Sequence, residues 1–139
     1  MLSSIALVFD FGLLVLIWLV QLIIYPSFQY FDQERLLKWH PKYTRLITFF
    51  AFPLMTGQVF LHGYQAWFDM NLLNGIILMG IAASWVITFG KEVPYHNKIS
   101  NGQDIKQNIT LLIVWNWSRV AAWTIVAILQ LYYLQQYMT

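Results

Sequence analysis

Residues 4–25 read SIALVFDFGLLVLIWLVQLIIY, and Asp10 is the only charged residue among them. A hydrocarbon core about 30 Å thick is crossed by about 20 helical residues, because each residue rises about 1.5 Å. This stretch is long and apolar enough, so it predicts a transmembrane helix. No Lys or Arg precedes Arg35, so the basic segment that opens a cleaved signal peptide is missing. We therefore expect the first span to be retained.

Three later stretches are also apolar and predict three further spans. Residues 46–68 and 70–90 contain no Asp, Glu, Lys or Arg, and residues 109–134 contain only Arg119. Over the whole chain, 59% of the residues are hydrophobic, 10% are charged, and the mean hydropathy is +0.56. Soluble domains carry about 25% charged residues, so a soluble fold is excluded. We predict an all-α integral membrane protein: one four-helix bundle domain over residues 1–139, with transmembrane helices at about 4–25, 46–68, 70–90 and 109–134.

The distribution of positive charge predicts the orientation of these helices. Nearly all Lys and Arg residues lie in two segments, 26–45 and 91–108: Arg35, Lys38, Lys42 and Arg45 in the first, and Lys91, Lys98 and Lys106 in the second. The two termini and the turn near 69–74 carry none. By the positive-inside rule, we expect loops 26–45 and 91–108 in the cytoplasm and both termini outside, periplasmic or extracellular, in a multi-pass protein of a bacterial inner membrane. The net charge of +2 is too small to indicate nucleic acid, so the predicted partner is the lipid bilayer.

Prolines mark the expected ends of two helices. Pro26 and Pro94 follow helices 1 and 3, and a helix is expected to stop before a proline. Pro53 lies inside helix 2, where the missing backbone donor predicts a kink. Between Pro26 and Pro41, aromatic and charged residues are interleaved. This segment is either a short amphipathic helix in the headgroup layer or an irregular loop with an aromatic anchor.

Each predicted span carries its polar side chains along one face, so the polar faces are expected to meet inside the bundle. The faces hold Ser3, Asp10 and Gln21 on helix 1; Thr44, Thr48, Met55, Gln58 and His62 on helix 2; Ser84, Thr88, Lys91 and Tyr95 on helix 3; and Asn108, Trp115, Asn116, Arg119, Trp123 and Gln130 on helix 4. Neutral polar residues can serve as interhelical contacts alone. Ionisable groups in hydrocarbon are costly, which makes Asp10, His62 and Arg119 candidate functional residues. Asp10 and Arg119 are expected to pair only if helix 4 is shifted outward.

The sequence predicts no cofactor. It contains no cysteine, so thiolate metal sites are excluded. His40 and His96 are expected in the two loops and His62 near the opposite face, so no two histidines on facing helices share a depth suitable for haem. Asp10 and His62 supply two candidate metal ligands, fewer than a metal signature requires. We therefore predict neither haem nor metal.

Two segments in the second half resemble a known pattern. Residues 93–104 read VPYHNKISNGQD, and NWSR at 116–119 is followed by Trp123-Thr124. They resemble V-P-x-H-x-x-[LI]-x-x-G-x-D and N-W-x-R-x-x-x-W-[ST] in a family of small bacterial four-helix membrane proteins of unknown function. A more distant resemblance is to the anthrone-oxygenase-like membrane proteins, which share a four-helix plan and a V-P-x-x-N-x-[LI] segment. The resemblance implies the fold, and the closer family implies no activity.

The motif has two interpretations, which the sequence leaves open. In one, Pro94 ends helix 3, Gly102 turns the chain and Asp104 caps helix 4, so that a folded cytoplasmic segment is held to the bundle by Arg119. In the other, polar residues line a pocket at the inner leaflet between tryptophan walls. Its candidate polar residues are Gln21, His96, Asn97, Asn116 and Arg119, and its walls are Trp115, Trp117 and Trp123.

Three functions are compatible with these features. The first is an intramembrane pocket that binds or transforms a lipophilic molecule such as a quinone or polyketide, with Arg119 holding an oxygen and His96 as the candidate catalytic base. The second is a non-catalytic subunit or scaffold of a homo-oligomer or larger membrane complex. The third is a small transporter or channel with Asp10 and His62 as an outer proton site. Whether the protein is an enzyme stays open.

Overall fold

The computed structural model describes residues 1–138 of the chain, with side chains through Gln136. Four helical segments run back and forth as a bundle: α1 (Leu2–Tyr30), α2 (Gln33–Phe68), α3 (Leu72–Ser100) and α4 (Ile105–Met138). Helix α4 packs against α1 and α3, and α2 closes the bundle on the other side. No strand occurs in the described residues. The prediction of an all-helical chain with four helices long and apolar enough to cross a membrane is confirmed.

The prediction of two long loops at 26–45 and 91–108 is wrong. Most of both segments is helical, and the connections shrink to residues 31–32 and 101–104. The amphipathic stretch forms the first turns of α2, where the Asp32 carboxylate accepts a hydrogen bond from the Arg35 N–H at 2.9 Å and caps the helix. Hydropathy identifies the residues that hydrocarbon can hold, whereas a helix ends only where its backbone hydrogen bonds end. The helices therefore run well past the apolar stretches.

Pro26 and Pro94 do not end their helices, because a π turn precedes each of them. The π turns span Val20–Ile24 in α1 and Thr88–Glu92 in α3. A proline cannot donate to the carbonyl four residues before it, and its ring crowds that carbonyl. Hydrogen bonds that run over five residues instead of four accommodate the carbonyls that the proline leaves unpaired. Each helix therefore continues through its proline.

The π turns also change which residues face the interior. A π turn holds one more residue than an α turn, so residues four apart stay on one face through it. In α3 this face carries Ser84, Thr88, Glu92 and His96, and both Ser84 and Glu92 are buried. The predicted face through Lys91 is wrong at this point, because the Lys91 ammonium lies at the edge of the bundle, 4.7 Å from the centre of the Trp115 ring.

The turn between α3 and α4 has the hydrogen bonds of a Schellman motif. The Gly102 N–H donates to the Ile99 carbonyl at 3.0 Å, and the Gln103 N–H donates to the Lys98 carbonyl at 2.9 Å. Gly102 has φ 73°, a conformation that glycine adopts without steric cost. The predicted role of Gly102 in turning the chain is confirmed, and α3 ends at Ser100 rather than at Pro94.

Two glycines allow the helices to approach closely. A Cβ on Gly80 of α3 would lie 2.8 Å from Val126 Cγ2 of α4, and a Cβ on Gly57 of α2 would overlap the Phe9 ring of α1. Small residues at such crossings are common between membrane helices, where packing drives association. Because each crossing joins two different helices, these contacts hold the walls of the interior close together.

Candidate functional site

A cavity of about 130 Å³ lies inside the bundle and is lined by residues of all four helices. Its walls are mostly apolar and include Leu13, Ile17, Ile47, Ala51, Met55 and Trp123. The lining residues Thr48, Phe52, Phe89 and Val93 are exposed on the outside of the bundle. The cavity therefore opens sideways, between α2 and α3.

One end of the cavity is polar and contains a buried ion pair. Tyr25, Glu92, His96 and Arg119 line this end. Arg119 Nη1 lies 3.6 Å from Glu92 Oε2, and the two residues are only 8% and 2% exposed. The Arg119 guanidinium also lies 4.9 Å from the centre of the Trp123 ring, where a cation–π attraction stabilises it. The two opposite charges offset one another in a site that excludes most water.

Two atoms of this ion pair have no hydrogen-bond partner among the described residues. They are Arg119 Nε, a donor, and Glu92 Oε1, an acceptor, and both are buried. A buried polar atom without a partner costs about 1–3 kcal/mol, and more when it is charged. Buried groups of this kind call for an explanation, such as a bound molecule. Both atoms belong to side chains that line the polar end of the cavity.

Asn116 and Gln21 hold the arginine in place. Asn116 Oδ1 accepts a hydrogen bond from Arg119 Nη1 at 3.1 Å. Asn116 Nδ2 donates to Gln21 Oε1 at 2.8 Å, and Gln21 Nε2 donates to the Ile113 carbonyl at 3.2 Å. Neither side chain is part of the cavity wall. These two candidate ligand contacts therefore act through Arg119, because their hydrogen bonds fix the direction of its guanidinium.

The histidines expected in the two loops meet inside the bundle. His40 of α2 is 0% exposed, and its Nε2 lies 2.9 Å from His96 Nδ1 of α3. His96 Nε2 lies 3.0 Å from the Tyr25 hydroxyl, which donates to Glu92 Oε2 at 2.8 Å. The placement of His40 and His96 in loops is wrong, because α2 begins earlier and α3 ends later than the apolar stretches indicate.

A second buried cluster surrounds Asp10 of α1. Its carboxylate accepts from Gln58 Nε2 at 2.7 Å, and His62 Nε2 lies 3.0 Å and 3.1 Å from its two oxygens. Gln58 Oε1 in turn accepts from Trp123 Nε1 at 3.1 Å. Asp10 therefore pairs with His62 of α2, while Arg119 pairs with Glu92. Within residues 1–136, no group of three or more His, Asp or Glu side chains could hold a metal ion.

Near the 69–71 turn, the polar residues bond to one another. Gln65 and Gln130 exchange hydrogen bonds through their side-chain amides, each at 3.1 Å. Gln65 Nε2 also donates to Asn74 Oδ1 at 2.8 Å. The network joins α2, α3 and α4, so these side chains act as contacts between the helices.

The remaining candidate residues lie away from the cavity. Asn97 is exposed on α3. Trp115 packs under Lys91, and Trp117 lies on the outside with its ring 5.9 Å from that of Trp18. The structure thus brings His96, Arg119 and Trp123 to one cavity but leaves the other two tryptophans outside it.

Three residues of the site are not among those predicted for it: Tyr25, His40 and Glu92. The segment that begins at Tyr25 and the position of His40 resemble the four-helix family as well, but that resemblance gives them no role. Glu92 stands beside Lys91, in the segment 91–108 that the positive charge predicts as a cytoplasmic loop. The available signal was the spacing of Glu92 and His96, four residues apart, which places them on one helical face. That signal applies only if the helix continues through Pro94, which the π turn allows.

No family model, curated protein or solved structure matches this chain. The resemblance to small bacterial four-helix membrane proteins stays a prediction. Any functional assignment must therefore come from the chemistry of the cavity.

Proposed function

We propose that this protein spans the membrane four times and binds a lipophilic molecule whose head is a single ring bearing a carbonyl or hydroxyl group, such as a quinone or a phenol. The observation that supports the proposal best is the composition of the cavity. Its walls are mostly apolar, and the two residues with unpartnered buried atoms, Arg119 (Nε) and Glu92 (Oε1), line its polar end. Binding pockets typically combine apolar walls with a few polar groups that orient the ligand.

The two free atoms complement this kind of head group. Arg119 Nε can donate a hydrogen bond to a ring carbonyl, and Glu92 Oε1 can accept one from a ring hydroxyl. Hydrogen bonds to charged groups contribute about 1.5–3 kcal/mol each, and a ligand would also remove the cost of leaving both atoms unpaired. The chemistry favours a molecule with oxygen at one edge and apolar atoms elsewhere.

The size of the cavity favours one ring over several fused rings. Its volume is about 130 Å³, close to that of an engineered protein cavity of about 150 Å³ that binds benzene. A quinone-type head fits such a space, whereas a fused polycyclic polyketide exceeds it. An aliphatic tail can leave between Phe52 and Phe89, where the cavity opens toward the lipid.

Filling the cavity is expected to remove the ligand. Ala51 lines the cavity, whereas Ala83 is exposed on α3. Protein extracted in its own lipids should carry one small molecule per chain by native mass spectrometry. The Ala51→Trp variant should lose this molecule, because the indole would occupy its space, and the Ala83→Trp variant should retain it. An empty wild-type protein, or an Ala51→Trp variant that keeps the molecule, would contradict the proposal.

The proposed orientation puts the 31–32 and 101–104 turns in the cytoplasm and both termini outside, in a bacterial inner membrane. Support comes from the Lys and Arg residues of segments 26–45 and 91–108, which cluster at the end of the bundle with these turns. The polar end of the cavity then lies on the cytoplasmic side. Ring-bearing lipids would enter from the bilayer.

Cysteine labelling of intact cells is expected to report this orientation directly. The chain has no cysteine, so a single substitution provides a unique label site. Met70 and Gln103 are both exposed and lie at opposite ends of the bundle. A membrane-impermeant maleimide should label the Met70→Cys variant in intact cells and the Gln103→Cys variant only after lysis. The reverse labelling pattern would contradict the proposed orientation and place both termini in the cytoplasm.

A further inference from the structure

An unbroken series of hydrogen bonds leads from the cavity toward one end of the bundle. Its heavy-atom distances are 2.8 Å from Tyr25 to Glu92, 3.0 Å from Tyr25 to His96, 2.9 Å from His96 to His40, and 2.8 Å from His40 to Ser100. Each distance lies in the range of a well-formed hydrogen bond. The series joins α1, α2 and α3.

The directions of these hydrogen bonds follow from the chemistry of neutral imidazole, which has one N–H and one lone pair. The Tyr25 hydroxyl donates to Glu92, so its oxygen accepts from His96 Nε2–H. His96 Nδ1 must then carry the lone pair and accept from His40 Nε2–H. His40 Nδ1 is in turn an acceptor and receives the Ser100 hydroxyl proton. Every donor in the series therefore points toward Glu92.

The two ends of the series meet different environments. Glu92 lines the cavity. Ser100 is the last residue of α3 and is half-buried, and Asn101 and Gln103 in the turn beyond it are exposed. Of the links between them, Tyr25 and His40 are buried and His96 is half-buried. The series thus connects water at the 101–104 turn with the polar end of the cavity.

We propose that Ser100, His40, His96 and Tyr25 form a proton relay that exchanges protons between water at the 101–104 turn and Glu92, and through Glu92 with the hydroxyl of the bound ring. This role deepens the proposed function and rests on it for the identity of the final proton acceptor. At each link one N–H or O–H bond breaks as the next forms. A hydronium ion at Ser100 becomes water, Glu92 gains one proton, and no electron is transferred.

Charged and titratable groups surround the relay on all sides. Glu92 faces Tyr25 of α1, Arg119 of α4 and His96 of its own helix. From α2, His40 contacts His96, and the Tyr43 ring lies 6.1 Å from the His96 ring. Arg119 offsets the charge of the Glu92 carboxylate, so that its two protonation states differ less in burial cost. Protonation of Glu92 then leaves the arginine free to hold an anionic ring oxygen.

A pH jump followed by infrared spectroscopy tests the relay without any ligand. The protein is placed in lipid nanodiscs, and the carboxylic C=O band of Glu92 is assigned by its loss in the Glu92→Gln variant. After a drop in pH, the band should appear about 100-fold more slowly in the His40→Phe variant, at the lower end of what a positioned proton-transfer group contributes. Phenylalanine retains the ring packing against Phe28, whose ring lies 5.3 Å away, but cannot carry a proton.

Two further variants complete the test. Tyr43→Phe removes a polar group beside the relay but outside its four hydrogen bonds, so it should keep the wild-type rate. Ser100→Ala removes the outermost link with little change in volume. It should slow the appearance of the Glu92 band and so tests the relay even if His40→Phe does not fold. A network that serves only to hold the helices together predicts no change of rate in either His40→Phe or Ser100→Ala.

The outcomes separate the relay from the ligand proposal. Unchanged rates in His40→Phe and Ser100→Ala, or a Glu92 band that never appears while the protein stays folded, would overturn the relay and leave the ligand proposal intact. If the Glu92 band appears more slowly in these variants, but the wild-type protein carries no small molecule by native mass spectrometry, the relay would be supported and the ligand proposal overturned.

Discussion

Replacing Arg119 with alanine is expected to abolish ligand binding and to lower the free energy of unfolding by about 3–5 kcal/mol. Arg119 and Glu92 are both buried, and their facing atoms lie 3.6 Å apart. Removal of the guanidinium would leave the Glu92 carboxylate without its counter-charge in a site that excludes water. It would also remove the free Nε–H that we assign to the ligand oxygen. Native mass spectrometry measures occupancy, and unfolding in mixed micelles measures stability.

Two companion variants separate the two effects of Arg119. Arg119→Lys retains the positive charge but lacks the planar guanidinium, so it should lose the ligand with a smaller loss of stability. The double variant Arg119→Leu/Glu92→Leu removes both charges and should recover most of the stability, because a buried ion pair can often be replaced by apolar residues. Full occupancy in Arg119→Ala would exclude this residue from the site. An unchanged unfolding free energy would show that Glu92 does not depend on it.

Replacing Asp10 with alanine is expected to destabilise the bundle by about 2–6 kcal/mol, whichever charge His62 carries. If His62 is protonated, the change leaves a buried imidazolium without its partner, which costs about 3–5 kcal/mol. If His62 is neutral, the change leaves the donors of Gln58 and His62 unpaired, at about 1–3 kcal/mol each. Unfolding of the purified protein in mixed micelles gives the value.

Asp10→Asn serves as the matched control for this prediction. The amide keeps the shape of the carboxylate and one oxygen that can accept a hydrogen bond from Gln58. Asp10→Asn should therefore lower the free energy of unfolding clearly less than Asp10→Ala does. Ligand occupancy should stay unchanged in both variants, because Asp10 does not line the cavity. A loss of stability below about 0.6 kcal/mol, the average for one polar contact between membrane helices, would show that the Asp10 cluster contributes no more than an ordinary contact.

The site could be predicted from the sequence only in part. Arg119 and Asp10 are conspicuous because an ionisable residue in an apolar stretch is rare and costly, and His96 and Trp123 follow from the motif around them. Glu92 and His40 could not be recognised in this way, since each lies among charged residues at the end of an apolar stretch. Their burial depends on helices that extend beyond the apolar stretches and, for Glu92, on a π turn that rotates it inward.

Local properties of the sequence therefore determined the number of helices, their apolar stretches and the segregation of positive charge to one end. Each of these follows from residues close together in the chain, because the hydropathy and the charge of a segment are sums over its neighbouring residues. The tertiary structure alone decided the pairing of Arg119 with Glu92, of Asp10 with His62, and of His40 with His96. These pairs depend on the relative depth and rotation of different helices. Both are set by packing at close helix crossings and by the two π turns. Neither can be calculated from the hydropathy and charge of neighbouring residues.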